Sequence, residues 1–186
     1  MNQKAILGAV LAGVVVFVWG AVSHMLLGLS EANMKAFNDE PAAEQALLGN
    51  ISDSGIYTIP GTRPGADAAT KTAAMEKMKN GPFVFVSVKR KGMPSMVRPM
   101  IKQLLIEIVA GLLFTWVLTH TTGLSYLMSA ALVAIAALAG TITTILPFWN
   151  WYGFPPGFVL SDVLDAGIGW FLGGLVIAKF ARPQKT

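Results

Sequence analysis

The chain contains no cysteine in its 186 residues. That rules out disulfides, thiolate metal sites and a cysteine nucleophile, and it is compatible with a loop exposed to an oxidising space. Charge is the second shortage. Only 13 % of residues are Asp, Glu, Lys or Arg, about half the share of a soluble globular domain. These charges are also segregated: sixteen of the twenty-four lie between Glu31 and Arg98. The stretches on either side are almost bare, the pattern of lipid-facing helices joined by a wet loop.

Apolar residues make up 54 % of the chain and the mean hydropathy is +0.58. The net charge of +4 comes with no nucleic-acid recognition pattern, and Lys and Arg at helix ends anchor to lipid headgroups. The expected partner is therefore the bilayer, and no nucleic acid is expected.

Four apolar segments stand out. The first crossing occupies 1–29, with a short basic start at Lys4. Its apolar run passes through Trp19, His24 and Met25 without a small-residue cleavage site, so it reads as a retained anchor and not as a cleaved signal peptide. The second covers 99–119, opening on Pro99, which suits a first helical turn. The third covers 124–146, free of charge and rich in Ala, and Pro147 is expected to end it. The fourth covers 159–180, and a basic tail, 181–186, follows. Each has about 20 residues or more, enough to cross a hydrocarbon core of about 30 Å. His120 to Gly123 is so short that segments two and three are expected to be antiparallel neighbours. The spacings Gly169/Gly173, Ala9/Gly13 and Ala130/Ala134/Ala137 predict close helix approaches without naming partners.

Residues 30–98 are a different material. Helical character from Glu31 to Leu48 is interrupted at Pro41, and Gly55 to Pro60 reads as a short strand. Ala66 to Lys79 favours a helix with Asp67 as cap, and Phe83 to Val88 is the strongest strand pattern. The expected fold is thus an all-α membrane protein, a four-helix bundle with a small α+β extramembrane cap between helices one and two. So small a cap would be marginal alone and is expected to lean on the helices or on another subunit.

The connection 147–158 carries Trp149, Trp151, Tyr152, Phe154 and Phe158. Aromatic residues collect at membrane interfaces, so it reads as an interfacial belt, with cover for a lipid or pigment as the other reading. An even number of crossings puts both termini on one side. Lys4, Lys179, Arg182 and Lys185 favour the cytoplasm for that side, placing 30–98 outside a bacterial inner membrane. Lys89, Arg90, Lys91, Arg98 and Lys102 argue the other way, but in a loop long enough to weaken the rule.

Ionisable groups inside a bilayer are costly, so each demands a reason. His24, Glu107 and Asp165 all lie roughly 8–12 Å from the same end of their helices, with Asp162 one turn shallower than Asp165. They form a candidate intramembrane layer, which reads as a helix-orienting network or as a ligand or ion site; a proton path would need further polar steps across the bundle, and the sequence breaks it. One His with unspaced acids does not specify a metal. No cofactor is expected, although His24 or His120 could in principle ligate a haem or chlorophyll metal. Nucleophile–base spacing, P-loops and dinucleotide motifs are missing.

The segments Trp19-Gly-Ala-Val-Ser-His24, Gly55-Ile-Tyr-Thr-Ile-Pro60, Trp149-Asn-Trp-Tyr-Gly-Phe154 and Asp162 to Trp170 together give the chain a resemblance. It resembles a loosely defined group of uncharacterised small four-helix bacterial inner-membrane proteins. The resemblance implies a membrane location and four helices, and no activity. The functional expectation is a non-enzymatic accessory or structural subunit of a larger membrane complex, for example an electron-transfer or photosynthetic one. The alternative is a small ion, metal or solute binding or transport protein using the His/Glu/Asp layer.

Overall fold

The structure is a computed structural model that describes residues 1–29 and 31–181. Arg182 and Lys185 of the expected basic tail lie outside the described residues. The described chain forms α1 (Gln3–Ala21), α2 (Glu40–Asn50), β1 (Gly55–Ile59), α3 (Ala68–Asn80), β2 (Val84–Val88), α4 (Val97–Thr119), α5 (Tyr126–Tyr152) and α6 (Pro156–Ala181). Four helices are long and apolar enough to cross a membrane: Gln3–Leu26, Val97–Thr119, Tyr126–Tyr152 and Pro156–Ala181. The chain divides into two compact units, one of 1–34, 95–149 and 154 onward, the other of 35–94 and 150–153.

In the helical unit α1 is the axis. Its buried positions, Ala5, Gly8, Ala9, Ala12, Gly13 and Val16, are small and recur at helical spacing. Lipid tails are as apolar as leucine, so helices in a bilayer gain little by hiding apolar bulk and gain mainly by close packing. Small residues permit that approach. A β-carbon at Gly13 would lie 2.7 Å from the Ile108 nitrogen, and one at Gly111 would lie 2.6 Å from the Ala9 carbonyl oxygen. These two contacts lock α1 antiparallel to α4. On α6, Gly169 faces Trp19 and Val16, while Gly173 faces Val16.

α5 attaches to α6 instead. A β-carbon at Gly174 would lie 2.8 Å from the Ala130 carbonyl oxygen, and the Tyr126 hydroxyl donates to the Leu175 carbonyl at 2.9 Å. The short turn had suggested α4 as the neighbour of α5. Among the described residues the close backbone seams of α4 face α1, and those of α5 face α6, because that is where small residues oppose one another. Leu118 of α4 still joins Val133 and Ala137 of α5 in a common core with Ala12, Val16, Trp170 and Ile177.

Several boundaries differ from the sequence reading: α4 begins at Val97 and α6 at Pro156, two and three residues before the expected starts. Pro147 does not end the third helix: α5 runs through it to Tyr152, absorbing most of the expected aromatic loop. Proline removes one backbone donor, a loss that membrane helices tolerate where hydroxyls and neighbours serve nearby carbonyls. The carbonyl that Pro147 leaves without a helical donor is that of Thr143, whereas the hydroxyls of Thr143 and Thr144 donate one turn earlier, to carbonyls of Ala139, Gly140 and Thr141. The helix ends at Gly153, whose φ of +72° suits glycine, and the Phe154 N–H then donates to the Phe148 carbonyl at 3.1 Å. Likewise Pro41 does not interrupt a helix. It stands in the first turn of α2, where its missing N–H costs nothing, and Asp39 caps that turn by accepting from the Ala42 N–H at 3.0 Å.

The second unit has the two helices and two strands expected of the cap. β1 and β2 pair antiparallel, with Tyr57 opposite Val86. Asp67 caps α3 by accepting from the Thr70 N–H at 2.7 Å. The Arg90 guanidinium donates to the carbonyls of Leu48 and Ile51, closing the end of α2. Tyr152 stacks on Phe85 with ring centroids 4.3 Å apart. Ile51 is the single buried residue of 35–94, so apolar burial contributes little to this unit.

Replacing Gly13 by Ala is expected to destabilise the bundle by about 1–3 kcal/mol, since the new methyl meets backbone. Thermal unfolding in detergent checks this against Gly140→Ala, where a β-carbon meets nothing within 4 Å. In the cap, the hydrogen bonds from Thr70 hold the Asp67 carboxyl below its ordinary value. A depressed folded-state pKa means that the stabilisation is complete above the unfolded value and is lost as pH falls through the folded one. Amide-exchange protection at Thr70 and Lys71 should therefore weaken on acidification, and Asp67→Asn should remove that dependence.

Candidate functional site

The end of the first crossing departs from α geometry. Val22–Leu26 form a π-helical turn in which the Leu27 N–H donates to the Val22 carbonyl at 3.0 Å. Gly28, at φ +61°, follows it. Such turns widen a helix and redirect its side chains. Ser23 becomes fully buried and His24 reaches across to α6, where its Nε2 lies 3.4 Å from Asp165 Oδ2.

Asp165 receives a second tie. Trp19 lies against Gly169, where a larger residue would collide with its ring, and its indole Nε1 donates to the Asp165 carbonyl at 3.2 Å. One α6 residue is thus held by two α1 side chains, through its carboxylate and its backbone. Asp162, one turn earlier, lies within electrostatic reach of both His24 and Asp165. Glu107 on α4 lies within electrostatic reach of Asp165, and its carboxylate accepts from Gln103 Nε2 on its own helix at 2.5 Å.

The four expected layer residues therefore share one region, with unequal ties. His24 and Asp165 touch, Asp162 adjoins them, and Glu107 joins through charge alone. The region holds three carboxylates and one imidazole, and among the described residues no Lys or Arg forms an ion pair with them. Asp165 Oδ1, Ser23 Oγ and Thr115 Oγ1 are buried with no hydrogen-bond partner among the described residues. Serine and threonine in membrane helices usually bond back to a carbonyl one turn earlier, so the two hydroxyls are unusual. Among the described residues no three His, Cys, Asp or Glu side chains gather as a metal-ligand set.

His120 stands apart, at the far end of α4. Its Nδ1 lies 2.8 Å from the Trp116 carbonyl oxygen and its ring stacks on Trp116 at 4.5 Å. Of the aromatic set, Trp149 and Trp151 are exposed, as an interfacial residue would be, whereas Phe154 packs between Phe148 and Phe158. Sequence reasoning missed Thr115 and the double role of Asp165. Nothing in Val-Ser-His-Met-Leu announces a π turn, although Gly28 beyond it marks a helix end.

No family model matches the chain, and no curated protein or solved structure matches it.

The pairing of His24 with Asp165 can be measured in a double-mutant cycle of His24→Gln and Asp165→Asn. A coupling of about 0.5–2 kcal/mol in detergent unfolding is expected, the range for hydrogen bonds between membrane helices. A coupling near zero would show that the two groups do not hold one another.

Proposed function

We propose that the chain is a non-enzymatic, multi-pass membrane subunit that serves a larger assembly as a helical scaffold. The observation that carries this reading is the double tie on Asp165, where His24 and Trp19 use polar groups to join α1 to α6. Polar residues spent on helix joining belong to a scaffold. The cap supports the same reading: α2 and α3 bury no residue, so a partner surface would supply the burial that its own side chains do not. The bacterial inner membrane, with both termini cytoplasmic and 30–98 outside, belongs to the same proposal and rests on the distribution of Lys and Arg.

A second reading has its own observation. Asp165 Oδ1 is buried and unpartnered among the described residues, in a region that holds three carboxylates and one imidazole. Such an excess of negative charge suits a bound cation or shared protons, as an ion- or solute-binding protein would use.

Purification of the tagged, full chain in a mild detergent is expected to recover partner subunits in fixed stoichiometry, and a clean, stable monomer would overturn the scaffold reading. The Asp165→Asn variant separates the two readings. A scaffold loses stability and partner recovery together, whereas a cation site loses ion binding while the fold and any partners remain.

A further inference from the structure

The outward face of α4 is unlike that of its neighbours. Arg98, Lys102, Leu105, Val109, Leu113 and Trp116 follow one another at intervals of four, three, four, four and three residues, which places them on a single helical stripe. All six are exposed. The four apolar members are each more than half exposed, Leu105 at 55 %, Val109 at 56 %, Leu113 at 63 % and Trp116 at 56 %. Two cations therefore stand at one end of an uncovered apolar track. Among the described residues neither Arg98 nor Lys102 takes part in an ion pair.

The dimensions match one leaflet. α4 begins at Val97, so Arg98 and Lys102 lie within its first two turns, at headgroup depth once their long stems extend outward. From Lys102 to Leu113 the helix advances roughly 16 Å, about half of a hydrocarbon core near 30 Å. Trp116 then approaches the opposite interface, where indole rings concentrate.

We infer that this stripe is a seat for an anionic phospholipid. The headgroup phosphate lies between the Arg98 guanidinium and the Lys102 ammonium, and an acyl chain runs along Leu105, Val109 and Leu113. A guanidinium and an ammonium one turn apart supply charge-assisted donors to phosphate oxygens. A zwitterionic lipid presents the same phosphate, but its own ammonium offsets the attraction. The inference rests on the membrane-spanning reading of α4 and is independent of the subunit proposal.

The test is native mass spectrometry of the full chain in detergent with added phosphatidylglycerol or phosphatidylcholine of identical acyl chains. Wild type is expected to retain phosphatidylglycerol in preference. At about 1 kcal/mol per basic residue near the surface, the Arg98→Gln/Lys102→Gln double variant should lose on the order of tenfold or more of that preference. The charge-preserving Arg98→Lys/Lys102→Arg variant should keep it, as should Lys77→Gln in the cap. Glycerol phosphate, which lacks acyl chains, should not compete. An absence of headgroup preference in wild type would overturn the inference without recourse to any variant. Equal retention by the double variant, an equal loss in Lys77→Gln, or full competition by glycerol phosphate would also overturn it. Should the double variant fail to fold, Lys102→Gln alone is expected to show a smaller loss in the same direction, and no loss would count against the seat.

Discussion

The bundle depends on how closely the backbone of α1 can approach its neighbours. In a bilayer, apolar side chains are as well solvated by lipid as by protein, so burying them gives little reason for helices to associate. What remains is dispersion at short range and hydrogen bonding away from water. Both require backbones to come close. The Ala5, Ala9, Ala12 and Gly13 side of α1 provides that approach, and Gly111 and Gly173 return it from α4 and α6. Leu7, Leu11, Val14 and Val18 are left on the outside, where a lipid solvent accepts them at no cost.

The same close packing positions the polar end. Trp19 can approach α6 only because Gly169 has no side chain, and that position brings its indole to the Asp165 carbonyl. The π turn that follows brings His24 to the carboxylate of the same residue. A short-range steric fact therefore leads directly to the electrostatic one. The remaining acids, Asp162 and Glu107, bring the carboxylates of the region to three against the single imidazole of His24. This excess gives the region chemical interest beyond helix joining.

The second unit follows different rules. Its helices are held by caps and not by burial: Asp39 on α2, Asp67 on α3, and the Arg90 guanidinium on the Leu48 and Ile51 carbonyls at the end of α2. Arg90 belongs to the basic run weighed for membrane orientation in sequence, and its guanidinium donates to two carbonyls within the unit. Lys89 and Lys91, its immediate neighbours, are exposed. With one buried residue between 35 and 94, local capping and one strand pair carry the order.

Much of the architecture was legible because it follows from local patterns. Apolar length marked the four crossings, an aromatic and β-branched run marked β2, and Asp67 followed by a helix-forming run marked α3. The small-residue spacings on α1, α5 and α6 proved to lie at close approaches. Proline misled twice, since its effect depends on position: Pro41 starts a helix and Pro147 sits within one. Chain proximity misled once, because a short turn brings two helix ends together without choosing which faces pack. Partner choice, the π turn, the shared hold on Asp165 and the buried hydroxyls of Ser23 and Thr115 were decided by tertiary structure alone. Each depends on atoms brought together from distant segments, and distances across helices are not encoded in the spacing along any one of them.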